Sequence, residues 1–115
     1  MDNFQNFVTE TINDIFILTI KLKRATIEEA SELNKVLSNA IEDGWTKLLI
    51  EMDDVEYIDS TFLGALVINL KKVIEIKGKF GLIGFKASLH TFIQQMSLDR
   101  TFEIYESREE ALRIF

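Results

Sequence analysis

Side-chain chemistry concentrates in one place in this chain, where an aspartate and two hydroxyls stand at the mouth of an apolar run. The segment reads Val55-Glu56-Tyr57-Ile58-Asp59-Ser60-Thr61-Phe62-Leu63-Gly64-Ala65-Leu66. Asp59 and Ser60 are both favoured N-cap types, so one reading is simply that they start a helix. The same geometry supports a second reading. A hydroxyl at a helix N-terminus lies open on one side, and a phosphate added there meets free backbone N–H groups and the positive end of the helix dipole. Such a modification adds about −2 charge and a tight hydration shell to the surface without unfolding the domain. Ser60 is therefore the candidate for modification.

Phe62 also has two readings. At helical spacing Phe62, Ala65 and Asn69 fall away from the Leu63, Leu66, Leu70 stripe, which exposes Phe62 as an interface anchor beside a small residue. Alternatively, Phe62 tucks under a neighbouring loop. Gly64 inside a helix costs about 1 kcal/mol against alanine and implies close packing on the sheet or the preceding loop.

Other chemistries find little support. There is one histidine, His90, and no cysteine, so no metal-ligand spacing exists and no metal or cofactor is expected. Gly78, Gly81 and Gly84 bracket a strand and precede no lysine-bearing phosphate loop. A catalytic triad needs Ser60 or Ser88 to meet His90, and no pattern in the sequence supports that. Asp53-Asp54 and Glu109-Glu110 read as solvated turn and helix-face charges. The expectation is a binding module, not an enzyme.

These residues need a scaffold. The chain has 115 residues, 47% hydrophobic and 28% charged, the size and composition of one globular domain, here residues 1–115. A formal net charge of −6 disfavours nucleic acid and anionic lipid as direct partners. Lys21, Lys23 and Arg24 are the nearest approach to a basic patch and read as a solvated loop. Met1 to Gln5 has neither a basic nor an apolar leader character, and no run of about 18 apolar residues occurs, so a cytoplasmic domain is expected.

Val8 to Leu22, with the turn signal Asn13-Asp14, predicts a hairpin. Phe16, Leu18, Ile20 and Leu22 should face the core, with Ile15 and Ile17 partly covered. Ile27, Ala30, Leu33, Val36 or Leu37, Ala40 and Ile41 recur with helical period, with Thr26 as N-cap, Glu28 and Glu29 in the first turn, and Gly44 as stop. Lys47 to Met52 reads as a buried strand and Met52 to Ile58 as a turn. A helix then runs from Ser60 to Lys77 with Leu63, Leu66, Val67, Leu70 and Ile74 inward, ended by Gly78. Lys79 to Ile83 is a strand, Lys86 to Met96 a short helix, Thr101 to Tyr105 a strand and Glu109 to Phe115 a helix. The order ββαβαβαβα, with about four helices, implies an α/β fold: a mixed, mostly parallel sheet with an antiparallel edge strand.

Tyr57-Ile58-Asp59-Ser60-Thr61-Phe62-Leu63-Gly64 resembles the aromatic–apolar–Asp–Ser–Ser/Thr–Gly–Leu–Gly signature of the STAS domain family, and within it the single-domain anti-sigma factor antagonists. Leu48 to Met52 resembles the strand before that signature. Met96 to Phe102 and Ser107 to Leu112 resemble later segments, in the correct order. The resemblance implies a STAS-like fold and a partner-switching role: binding to an anti-sigma factor serine kinase, phosphorylation on Ser60 with Thr61 as alternative, and resetting by a PP2C-type phosphatase. It implies partner contact through Asp59, Ser60, Thr61, Phe62, Leu63 and Ala65. The chain departs from the family in having Phe62 where glycine is usual, and Leu22-Lys23-Arg24-Ala25 where a turn ending in aspartate is usual. Some family members are unmodified scaffolds or sensors of nucleotides or lipid-derived molecules, which stands as the alternative.

Overall fold

The computed structural model describes residues 5–84, 86, 87, 89, 91, 94 and 102–115. The hairpin forms where Asn13-Asp14 predicts it: β1 (Phe7–Ile12) and β2 (Ile15–Ile20) pair antiparallel. Asn13 takes a left-handed φ of 55°, which asparagine tolerates better than most residues. β3 (Arg24–Ala25) follows, then α1 (Ile27–Glu42), β4 (Lys47–Glu51), β5 (Tyr57–Ile58), α2 (Ser60–Glu75), β6 (Lys79–Ile83), β7 (Glu103–Tyr105) and α3 (Arg108–Ile114). The main sheet has the order β1-β2-β4-β6-β7, parallel throughout except for the first pair. The fold is the expected α/β arrangement, with three helices among the described residues. The helix expected over Lys86 to Met96 falls largely outside those residues, as do Ser88 and His90.

Each parallel crossover steps sideways in the same direction, so α1 and α2 lie together on one face of the sheet. Strand alternation sorts the core accordingly. Leu18, Ile20, Leu48, Ile50, Phe80 and Leu82 meet Leu33 and Leu37 of α1 and Leu63, Leu66 and Leu70 of α2. Ile15, Ile17, Leu49, Ile83 and Tyr105 face the other way and are covered by Ala111, Leu112 and Phe115. Ile15 and Ile17 are thus fully buried rather than partly covered.

Polar contacts hold this second cover in place. Glu51, a buried carboxylate at the end of β4, accepts hydrogen bonds from Thr19 Oγ1 (2.7 Å) and from Arg108 Nε (2.7 Å) and Nη2 (2.6 Å). Arg108, the first residue of α3, also donates to both oxygens of Glu10 in β1 at 3.2 and 2.8 Å. Hydrogen bonding to Arg108 holds the Glu51 carboxyl below its usual pKa, outweighing the desolvation that raises it.

α1 and α2 end in the same motif with different residues. Gly44 (φ 104°) follows α1, with Gly44 N–H donating to Ile41 O and Trp45 N–H to Ala40 O. After α2 the left-handed position belongs to Lys77 (φ 60°), not to Gly78. Gly78 serves a different need: a Cβ there would lie 2.2 Å from the Thr46 carbonyl oxygen.

Candidate functional site

Asp59 organises the start of α2. Its backbone is extended (φ −97°, ψ 172°), and its Oδ1 accepts from the Phe62 amide at 2.8 Å. Its Oδ2 accepts from the amide of Ile27, the first residue of α1, also at 2.8 Å. One carboxylate therefore satisfies the N-termini of two helices, and its charge sits where both dipoles favour an anion. Thr26 caps α1 from its own side, reciprocally with Glu29.

Two short strands absent from the sequence reading support this junction. Arg24–Ala25 pairs in parallel with Tyr57–Ile58, joined by Glu56 and Tyr57 amides to Lys23 O and by the Asp59 amide to Ala25 O. The segment expected to be a solvated loop is thus a two-stranded ribbon with Ala25 and Ile58 buried beneath it. On its outer side the Arg24 guanidinium lies 4.4 Å from the centroid of the Tyr57 ring.

Because Asp59 does the capping, Ser60 is the first residue inside α2 and is exposed, with Thr61 exposed beside it. Thr26 and Ser107, the N-caps of α1 and α3, use their hydroxyls as cap acceptors. Ser60 has no such duty. The choice between Asp59 and Ser60 as cap, open in the sequence, falls to Asp59.

Three residues expected in a partner contact are turned inward. Phe62 is fully buried, its ring 6.4 Å from that of Phe7 and stacked at 20°. Leu63 and Ala65 are buried as well. Asn69, placed on the outer side by the sequence pattern, is wholly buried. Its Nδ2 donates to Asn34 Oδ1 and Ala65 O at 2.9 Å, and its Oδ1 accepts from Ser38 Oγ at 3.2 Å. Ile74, expected inward, is 54% exposed. The physical reason is common to all of these. α2 packs against the sheet and against α1 at once, so its buried arc is wider than one stripe and is centred elsewhere. Ile27 also departs from expectation: it is 65% exposed, at the first position of α1.

The true outer arc of α2 carries Thr61, Gly64, Ile68 and Lys71, at positions i, i+3, i+7 and i+10. Close packing among the described residues does not account for Gly64, since a Cβ added there meets none of them within 4 Å. Its helix-propensity cost of about 1 kcal/mol is not offset by any contact with the described residues. A shallow depression lined by Asp14, Asp43, Gly44, Trp45 and Thr46 sits at the other end of the sheet, before β4 begins.

The STAS domain family model matches residues 6–111. The chain belongs to the STAS domain family. This STAS domain is 34% identical over 107 residues to a Thermotoga neapolitana protein named as a candidate anti-sigma factor antagonist, an alignment covering 92% of this chain and 94% of that one. It superposes on the crystal structure of a candidate anti-sigma factor antagonist from Thermotoga maritima with a TM-score of 0.84 and 28% identity, covering 93% and 92% of the two chains. The Bacillus cell fate determinant SpoIIAA in its phosphorylated form shares the fold, with a TM-score of 0.75 at 14% identity over 95% of this chain and 99% of that one.

Proposed function

We propose that this STAS domain is a phosphorylation-regulated anti-sigma factor antagonist of the cytoplasm, with Ser60 as phosphoacceptor and Thr61 as the secondary hydroxyl. The partner is a serine kinase that also restrains a sigma factor, and a PP2C-type phosphatase reverses the modification. The observation that carries this reading is the exposed Ser60 hydroxyl, released from capping by Asp59. Names among the relatives support the same class.

The chemistry is a phosphoryl transfer. Ser60 Oγ forms a bond to the γ-phosphorus of ATP on the kinase, ADP leaves, and the hydroxyl proton passes to the kinase's base. On this domain the product sits at the first turn of α2, where the Ser60 and Thr61 amides have no intrahelical acceptor. Phe62's amide is already held by Asp59, so the cap survives modification. Added negative charge on a chain of net charge −6, next to Asp59, disfavours re-docking of any surface shaped for a neutral hydroxyl.

Asp59, Ser60 and Thr61 form the centre of the docking face. Phe62, Leu63 and Ala65 serve it from below by seating the helix on the core. The test is titration calorimetry of the purified kinase against Ser60→Ala and Ser60→Glu. Ser60→Ala retains binding and accepts no phosphate on Ser60 by mass spectrometry. Ser60→Glu keeps the circular dichroism of the native fold and loses at least tenfold in affinity. Native affinity for Ser60→Glu would sink the proposal.

A further inference from the structure

Carboxylates surround the start of α2. Asp59 stands immediately before Ser60, its charge shared between two helix N-termini. Glu28 is exposed in the first turn of α1, and Glu29 beside it is engaged with Thr26. Glu56 is exposed just before the ribbon strand of Tyr57. A phosphate on Ser60 enters this company as a near-dianion, and the like charges oppose it. The cations of the ribbon are Lys23 and Arg24, both exposed. Lys86 lies with its Nζ 3.8 Å from Glu56 Oε2. Arg24 is the one held by a ring: its guanidinium lies 4.4 Å from the Tyr57 centroid, on the outer side of the ribbon.

We propose that Arg24 is the internal counter-ion of the phosphate carried by Ser60. This rests on the Ser60 reading above and names what the same site does once it is modified. Strand register brings the two residues together. Arg24 is the Cα partner of Tyr57, and Ala25 O accepts the Asp59 amide at 3.1 Å, one residue short of Ser60. By strand spacing and chain length, the Cα atoms of Arg24 and Ser60 stand on the order of 10 Å apart. An arginine and a phosphoserine reaching toward each other span that gap. Stacking occupies the face of a guanidinium and leaves its N–H edge for an anion, and that edge matches phosphate oxygens two at a time. Tyr57 thus positions the group in advance, so little ordering remains when the phosphate arrives. Lys23 offers the same charge as a single point on a flexible stem, without that fork. Paired with Arg24, the phosphate lies over the ribbon side of the Ser60 surface, covering ground that the bare hydroxyl leaves open.

The experiment uses the full chain with phosphoserine placed at position 60 during synthesis, so it needs no kinase. Wild type, Arg24→Gln, Arg24→Lys and Lys23→Gln are titrated and followed by phosphorus NMR, with circular dichroism checking the fold. A phosphoserine has its second pKa at about 6. A neighbouring cation favours the dianion and lowers that value, so Arg24→Gln should raise it by about 0.4 or more relative to wild type. Arg24→Lys recovers part of the difference, and Lys23→Gln moves the value less than half as far. An Arg24→Gln protein that titrates with wild type overturns the inference. An equal rise in Lys23→Gln also overturns it, because the effect is then the diffuse field of the ribbon and not a contact. Either result leaves the Ser60 reading standing, since that reading depends on the kinase. A kinase that leaves Ser60 unmodified removes the Ser60 reading, and this inference with it.

Discussion

Replacing Asp59 separates two jobs that one side chain performs. Its Oδ1 caps α2 through the Phe62 amide and its Oδ2 ties down the first amide of α1, both at 2.8 Å. Losing an N-cap typically costs about 1 kcal/mol. The second bond is charge-assisted but solvent-exposed, so the low end of its range, about 1.5 kcal/mol, applies. Asp59→Ala should therefore destabilise by about 2.5 kcal/mol. Asp59→Asn keeps one carbonyl oxygen for the cap but turns an amide donor toward Ile27 N–H, so about 1.5 kcal/mol is expected.

Urea unfolding followed by tryptophan fluorescence measures both. Trp45 is the single tryptophan and lies before β4, its ring 6.0 Å from Phe16, so its emission reports loss of the sheet rather than local change at Asp59. The slope with urea should match wild type, with the loss appearing in the midpoint. Two results would refute the reasoning: equal losses in the two variants, or an Asp59→Asn protein within about 0.5 kcal/mol of wild type, the range usual for an uninvolved surface position.

Two further expectations concern stability. Arg108→Met strands the buried Glu51 carboxylate with Thr19 alone, and removing one partner of a buried ion pair costs about 3 kcal/mol. Thermal melts at pH 7 should show a loss near 12 °C at about 4 °C per kcal/mol. That difference must shrink with acid. Native Glu51 has a depressed pKa, so its contribution is present above its unfolded value of about 4.5 and fades as pH falls through the folded one. The stranded carboxylate of the variant is instead relieved by taking up a proton. A gap that stays constant from pH 7 to pH 3 contradicts the role assigned to this pair. Lys77→Gly should raise stability by about 0.5–1 kcal/mol, because a lysine at φ 60° bears a strain that glycine lacks; chemical denaturation reads it, and a loss refutes it.

Long-period signals in the sequence carried most of the architecture. The hairpin turn, α1 with its Thr26 cap, β4, β6 and the C-terminal helix each follow from a local pattern of apolar residues bounded by Asn, Gly, Thr or Ser. The ribbon of Arg24–Ala25 and Tyr57–Ile58 had no such signal, since two residues cannot show a period and their pairing exists only in three dimensions. For the same reason the Arg108–Glu51 contact, spanning 57 positions, was invisible. Ser60 was legible as the start of a helix with an exposed hydroxyl. The inward turn of Phe62 and Asn69 was not, because one apolar stripe cannot report a helix buried on two sides. Gly64 was read as a close contact by the usual rule for helical glycine, and only the open space beside it among the described residues reverses that.

The polar peg formed by Asn69, Asn34 and Ser38 bears on where Ser60 stands. Apolar side chains alone would let two helices slip past one another among several near-equal seatings, whereas three side chains with paired donors and acceptors accept only one alignment. Nine residues separate Asn69 from Ser60, roughly 13 Å of helix at 1.5 Å per residue. The depth at which the hydroxyl meets a visitor is therefore set from the middle of the helix, well away from the surface that any kinase would touch.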